Sequence, residues 1–394
     1  MKVKKDFTKI KNLLEDERVD EVVVKKDLKK KLKQDKPLRV KFGVDPTFNT
    51  LHLGHTVPLF KLKQFQELGH QVIFLIGDFT SRVGDPSGRV KSRPILTKEE
   101  IEENMRSYKK QAAKILDINK VEVRYNSEWW EDMDLSNFLN LLRKITYNQV
   151  IKRADFQERI ENDQSFTIQE LIYPVIQGYD SVALKADVEI GGTDQKFNIL
   201  MGRKIQKQYN QPEQNVILCP LLEGTDGSDK MSKSKDNFIG VTEKPKEMYG
   251  KIMSIPDKVM SRYYNLLTSL SKKEISNKMN EHPRKAKAFL AETITAFFYS
   301  SFKAKKAAKE FDKVFKKQKN PDDVPVKKIK AKEMGILDLL VKLNLTSSKS
   351  EARRLINQKG IRINGEVQND KYKKVKIKKG MIIQRGKRKF VKIS

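Results

Sequence analysis

Apolar positions fall into blocks along the chain, and their spacing switches between a period of two and a helical period. Val40, Phe42 and Val44 alternate with Lys41 and Gly43, as in a strand. Val57, Leu59, Phe60, Leu62, Phe65 and Leu68 then recur at helical spacing, and Gly69 stops them. Gln71–Ile76 is an almost wholly apolar run, which suits a buried parallel strand. Further on, 94–118 predicts a charged helix. Val121, Val123 and Tyr125 predict a strand, 135–164 more helix, and 188–190 and 216–219 two short strands. Strands separated by helices predict an α/β fold with a Rossmann-like, doubly wound domain. Residues 1–36 form a charged amphipathic leader whose Leu13, Leu14, Leu28 and residues 22–24 pack on that domain.

From Lys244 the pattern turns helical through Met248, Ile252, Met253, Leu266, Leu267 and Leu270, and 272–317 is strongly basic helix. The prolines and aspartates of 320–325, followed by lysine-rich 327–332, read as a linker. In 335–394, Ser348 with Glu351 predicts a capping box, Ala352, Leu355 and Ile356 an apolar stripe, and Gly360 a helix stop. Asn364-Gly365 predicts a hairpin turn, and short basic strands follow. The predicted organisation is a Rossmann-like domain with leader (1–243), an α-helical domain (244–319), a linker (320–334) and a small α+β domain (335–394).

Charge sharpens this picture. The 394 residues hold 81 Lys and Arg against 51 Asp and Glu, a net charge of +30 that points to a polyanionic partner, most simply nucleic acid. The last sixty residues alone hold 17 Lys and Arg against 4 Asp and Glu. Cys219 is the sole cysteine, so an intrachain disulfide is excluded and a reducing compartment fits. There is no 18-residue apolar run, and the N-terminus MKVKKDFTKI lacks a signal-peptide core. The expectation is a soluble, cytoplasmic protein without a membrane partner.

The candidate chemistry sits where strands end. The stretch Phe42–His55, FGVDPTFNTLHLGH, runs from a strand into a helix, where open α/β sheets bind ligands and helix N-termini favour anions. His52 and His55 share a face, and Gly54 between them leaves a gap for a flat base. A zinc pair is the plain alternative, poorly supported with one cysteine and no third histidine nearby in sequence. Tyr173, Gln177 and Asp180 fall on one helical face among apolar neighbours and could meet one small ligand. Asp194, after Gly191-Gly192-Thr193, suits a ribose hydroxyl. Lys230-Met231-Ser232-Lys233-Ser234 lies in a polar loop, expected to be mobile, with two point charges suited to phosphates.

HLGH and KMSKS together resemble the two signatures of class I aminoacyl-tRNA synthetases. With DPT before the first and GGTDQ later, the chain is similar over nearly its whole length to the tyrosyl-tRNA synthetase family of bacterial type. The resemblance implies tyrosine activation by ATP with Mg2+, no tightly bound cofactor, transfer to tRNA(Tyr), and a homodimer to which 135–164 contributes. It implies His52, His55, Lys230 and Lys233 as catalytic groups, and Asp45, Gly54, Gly192, Asp194, Met231 and Ser232 as ATP contacts. Gly43, Thr80, Asp85, Tyr173, Gln177, Asp180 and Gln195 are the implied amino-acid contacts, with Asp180 accepting from the substrate phenol. A buried acceptor of this kind would be stranded by phenylalanine, a selectivity for which tyrosine-activating enzymes are themselves the type case. The helical domain would approach the anticodon. The C-terminal domain resembles an RNA-binding domain first described in a small-subunit ribosomal protein, with Arg353, Arg354, Lys359 and Arg362 gripping phosphates.

The chain departs from that pattern at Lys41, where many relatives carry an aromatic hydroxyl that also meets the substrate phenol, and at Phe42, which offers no donor to a ribose. Pro58 fits an early helical turn. Trp129 and Trp130 read as core or subunit contacts. Other readings are a tryptophanyl enzyme on the same fold, a nucleotidylyltransferase, which is usually far smaller, and an RNA-binding structural protein that would tolerate alanine at His52, His55 and Lys230.

Overall fold

In the computed structural model, residues 2–86, 97–316, 325–329, 331–386 and 389–394 are described. The chain divides into two units, Met1–Ser301 and Phe302–Ser394. The first is built on six strands: β1 (Glu21–Val23), β2 (Arg39–Val44), β3 (Gln71–Ile76), β4 (Val121–Tyr125), β5 (Val188–Gly192) and β6 (Asn215–Cys219). Their order is β1-β6-β5-β2-β3-β4. β2 to β6 run parallel, and β1 closes the edge antiparallel to β6, with Val22 opposite Ile217. Thus the leader contributes a strand to the sheet, besides packing Ile10, Leu13, Leu14 and Leu28 on it. Three residues are too few to show a period of two, so this strand has no signature in the sequence.

The chain runs outward from β2 through β3 to β4, then returns on the other side of β2 with β5 and β6. β2 and β5 pair only at Val40–Val188 and Lys41–Glu189. Beyond that point their carboxyl ends leave a crevice at the topological switch point, the general ligand position of such sheets.

The helix after β2 spans Leu53–Glu67, starting four residues before its apolar period. His52 is its N-cap, in extended conformation, and the His52 amide donates to His55 Nδ1 at 3.3 Å. Pro58 is therefore the sixth helical residue, not part of the first turn; its missing N–H is the usual partner of the Gly54 carbonyl. The charged helix spans Lys98–Ala112 behind a Thr97/Glu100 capping box. The stretch 135–164 breaks into Leu135–Leu142, Tyr147–Val150 and Ala154–Glu161. The helices after residue 244 are Pro245–Met253, Met260–Leu267, Lys272–Met279, Pro283–Phe298 and Ser301–Lys316.

The second unit holds β7 (Val326–Lys327), β8 (Glu333–Gly335), β9 (Ile361–Ile363), β10 (Glu366–Val367), β11 (Lys374–Lys376), β12 (Ile382–Arg385) and β13 (Lys389–Ile393). Five form the sheet β10-β9-β12-β13-β7, and β11 pairs with β8. The 320–334 segment, read as linker, thus carries two strands and places Ile329 in the core with Leu339, Leu340 and Ile383. Its part at 320–324 and Lys330 lie outside the described residues. Strands of two or three residues set in a lysine-rich stretch look like linker in sequence, because charge is how sheet edges are protected. The Asn364-Gly365 turn has φ of 49° and 92°, as a two-residue hairpin turn requires. Ser348 caps its helix by accepting from the Glu351 amide, but Glu351 reaches the Ser347 amide and hydroxyl instead of Ser348.

Candidate active site

Sixteen of the seventeen residues expected in the site line one cavity of about 310 Å3 at the carboxyl ends of β2 and β5. That size suits a small ligand. Lys233 is the exception: its ammonium lies 4.6 Å from the centre of the Phe48 ring and 5.9 Å from that of Tyr108.

On one side lie the two signatures. They are joined by backbone: Leu53 donates to Ile239 and Val241 to Leu51, so the strand-like stretch after KMSKS runs against the HLGH turn. The imidazoles of His52 and His55 sit with centres 3.9 Å apart. A Cβ on Gly54 would stand 3.0 Å from His52 Nδ1, so the gap between the rings depends on glycine. His52 is buried, and burial, with the His55, Lys233 and Lys230 charges after it, holds its pKa well below the ordinary value. It is therefore a neutral imidazole, and its buried Nδ1 has no hydrogen-bond partner among the described residues. Such an atom invites a ligand. Lys230 forms an ion pair with Asp194 at 2.9 Å. The loop expected to be mobile has a buried clip at its base. Asn237 accepts from the Ser232 amide at 2.8 Å and donates to Asp226 at 2.6 Å and to the Lys230 carbonyl at 3.2 Å.

On the other side the polar groups are already satisfied by one another. Asp45 accepts from Thr80 Oγ1 at 2.7 Å and from the Tyr173 hydroxyl at 2.8 Å. This places Asp45, expected on ATP, among the residues expected around the amino acid. Gly77 permits the arrangement, since a Cβ there would stand 2.2 Å from both Asp45 Oδ1 and Thr80 Oγ1. Burial and the neighbouring Asp45 carboxylate push the Tyr173 phenol well above its ordinary range, so it remains a hydroxyl donor. Gln195 donates to Asp85 at 2.8 Å, Asn198 donates to Gln177 at 2.9 Å, and Arg153 lies 3.7 Å from Asp85. Ser87, Gly88 and Arg89 of the same loop lie outside the described residues.

Asp180 is the most elaborately held group. Its Oδ1 accepts from the indole N–H of Trp129 at 2.9 Å and of Trp130 at 3.0 Å, and its Oδ2 accepts from Asn126 at 3.3 Å. Burial pushes its pKa up to about 7, against the charge of Lys41 and these donors. The two tryptophans therefore do more than fill space: Trp130 belongs to the core, yet both orient the candidate phenol acceptor. Asn126, Trp129, Trp130, Asn198, Arg153 and Asn237 were not picked out as site residues from the sequence. Apart from Asn237, whose partners are in its own loop, they meet partners up to 68 positions away, as Arg153 meets Asp85, and no local spacing connects those. In the second unit Arg353, Arg354, Lys359 and Arg362 are all exposed, the first two on the helix Lys349–Asn357.

Comparisons with known proteins show the family. Residues 32–316 match the family model described as tRNA synthetases class I (W and Y), and 316–393 match the SYY-like C-terminal domain of tyrosine–tRNA ligase. The tyrosine–tRNA ligase of Aquifex aeolicus is 47% identical over 374 residues, 95% of each chain. That of Thermotoga maritima is 47% identical over 382 residues, again 95% of each. Among solved structures, a C-terminally truncated mitochondrial tyrosyl-tRNA synthetase of Aspergillus nidulans aligns with a TM-score of 0.64 at 27% identity, covering 78% of this chain and 94% of its own. The L-tyrosine complex of the Archaeoglobus fulgidus tyrosyl-tRNA synthetase shares the fold at 23% identity, with a TM-score of 0.62, covering 77% of this chain and 99% of its own.

Proposed function

We propose, for a chain that belongs to the class I tRNA synthetases of the tryptophan and tyrosine type, a division of its crevice into a tyrosine half and an ATP half. The activity is that of a tyrosine–tRNA ligase. The observation that carries the division is the convergence of HLGH, KMSKS and the Asp45–Thr80–Tyr173–Asp180 group on one cavity.

In the first step the tyrosine carboxylate attacks the α-phosphorus of ATP. An acyl–oxygen–phosphorus bond forms, the bridge to the β-phosphorus breaks, and pyrophosphate leaves. His52 and His55 hold the triphosphate over the helix N-terminus. Lys230 and Lys233 follow the departing pyrophosphate, where negative charge grows. Asp194 takes the ribose and Gly54 and Gly192 make room for the nucleoside. Met231 and Ser232 carry the loop against it. Tyr173, Gln177, Thr80 and Asp85 with Asp45 receive the ammonium end, Gly43 and Gln195 flank the reacting carboxylate, and Asp180 Oδ2 accepts from the phenol. Mg2+ enters with the triphosphate, whose oxygens are hard ligands. In the second step the terminal adenosine of tRNA(Tyr) takes the tyrosyl group and AMP leaves. No protein nucleophile is needed, since positioning and charge stabilisation suffice.

The basic second unit, with exposed Arg353, Arg354, Lys359 and Arg362, suits tRNA phosphates. The exposed Leu135, Leu139, Tyr147 and Ile160, at 49% or more of their full surface, support a homodimer through that region. A cytoplasmic location follows from the substrates. The test is ATP–pyrophosphate exchange with tyrosine, tryptophan and phenylalanine side by side. Exchange with tyrosine alone is expected; exchange driven by tryptophan, or none from folded protein with Mg2+, would overturn the reading.

A further inference from the structure

Lys41 lies on β2 with no exposed surface, and its ammonium stands 3.0 Å from Glu189 Oε1 on β5 and 2.7 Å from Ser181 Oγ. Ser181 is the residue after Asp180 and donates on to Glu189 Oε2 at 3.1 Å, where Gln214 also donates at 2.6 Å. Lys41, Glu189 and Asp180 all line the cavity. A buried lysine–glutamate pair is an unusual choice for a parallel sheet. Two apolar residues of the same volume would hold the strands together as well or better. Its position beside the substrate-reading carboxylate suggests another use.

We propose that Lys41 is a positioning residue for tyrosine selection: its ammonium, anchored by Glu189 and Ser181, keeps the neighbouring Asp180 ionised and so able to accept a hydroxyl. This rests on the reading of Asp180 as the phenol acceptor. The geometry shows why the charge state matters. Oδ1 of Asp180 already faces two indole N–H donors, so a proton on the carboxyl would go to Oδ2. Oδ2 accepts only the longer bond from Asn126 at 3.3 Å and keeps a lone pair for the ligand, and protonation would turn that acceptor into a donor. Burial drives Asp180 toward that neutral form, and Lys41 is the foremost charge opposing it.

The surroundings supply few other controls. β2 brings Lys41, the turn just after it Asp45, β5 brings Glu189, the loop at Asp85 brings a carboxylate, and the helix of Asp180 itself brings Tyr173. Asn126, Trp129 and Trp130 are neutral donors, and the helix Lys196–Gln208 packs Met201 and Ile205 there. Arg153, 3.7 Å from Asp85, is a second buried cation of this half, but Lys41 is the charge that bears foremost on Asp180.

The test is the ratio of kcat/KM for tyrosine to that for phenylalanine in pyrophosphate exchange by the full chain, followed from pH 6 to 9. Effects common to both amino acids cancel in the ratio. In the unsubstituted chain the ratio rises with pH as Asp180 ionises. Lys41→Met with Glu189→Gln removes the pair without stranding a charge, and the midpoint of that rise moves up by about one pH unit or more, a tenfold change in proton affinity. Glu189→Gln alone leaves the ammonium uncompensated, and the midpoint moves down. A merely structural pair would give coincident midpoints, or shifts in the same direction, and either result would overturn the proposal. The single variant decides by its direction if the double variant does not fold. Failure of the unsubstituted chain to exchange with tyrosine at any pH would overturn the ligase reading, and this inference with it. A flat ratio in an active enzyme would overturn this inference alone.

Discussion

The two halves of the crevice are built on opposite principles. In the amino-acid half, almost every polar group already has a buried protein partner: Tyr173 and Thr80 on Asp45, two indoles and an amide on Asp180, Gln195 on Asp85. In the nucleotide half, the working groups are half-exposed or wait for a partner. His52 Nδ1 has no partner among the described residues, Lys230 is borrowed by Asp194, and Lys233 rests near Phe48. The difference follows from the ligands. An amino acid must be chosen by its shape and one hydroxyl, which demands fixed acceptors whose mispairing is costly. A triphosphate must be held while its charge moves, which demands cations able to change partners as the reaction proceeds.

If the halves are separable, breaking one leaves the other intact. The largest effect is expected for Lys230→Ala, which removes charge stabilisation from the leaving pyrophosphate. Its kcat for exchange should fall by about 10²–10³-fold, the scale of losing one preorganised transition-state contact. The KM for tyrosine should stay unchanged. A parallel rise in that KM would show that the loop also shapes the amino-acid half. A smaller effect, on the other side, is expected for Tyr173→Phe. It takes the Tyr173 hydroxyl from Asp45 Oδ2, which that hydroxyl meets at 2.8 Å. A cost of about 1–3 kcal/mol would appear as a rise of roughly five- to 150-fold in tyrosine KM, with the KM for ATP unmoved. Steady-state exchange kinetics with each substrate varied in turn checks both.

This contrast also explains what could be read from the sequence. The sheet was legible wherever an apolar period ran for five or six residues, as in β2 and β3, and illegible where a strand is two or three residues long, as in β1, β7 and β8. The nucleotide half was legible because its residues are neighbours in sequence: HLGH and KMSKS carry their chemistry within five positions. The support of the amino-acid half was not. Trp129 and Trp130 meet Asp180 across about fifty positions, and Lys41 meets Glu189 only because β2 and β5 are adjacent at the switch point. A selective pocket draws its rigidity from many elements, so most of its structure lies in contacts that no local pattern contains. The Asn237 clip was hidden for the opposite reason: a polar residue in a polar loop has no signature until its burial is seen.

The Lys230–Asp194 pair gives the smallest and sharpest test. Both side chains are about a third exposed, so the pair contributes on the order of 0–1 kcal/mol to stability. Asp194→Asn should therefore move the melting temperature by no more than a few degrees. Its kinetic effect is a balance. Asparagine still offers an oxygen to a ribose hydroxyl, while Lys230 loses the carboxylate that holds it. ATP would then find a lysine that need not first leave a protein partner, in exchange for a weaker grip on the ribose. The KM for ATP should change by only about two- to fivefold, and its dependence on ionic strength should weaken, because salt no longer loosens a competing pair. Melting curves and ATP titrations at two salt concentrations decide this. A large loss of stability would mean that the nucleotide half is as rigidly built as the amino-acid half, and the contrast between them would fail at the contact that defines it.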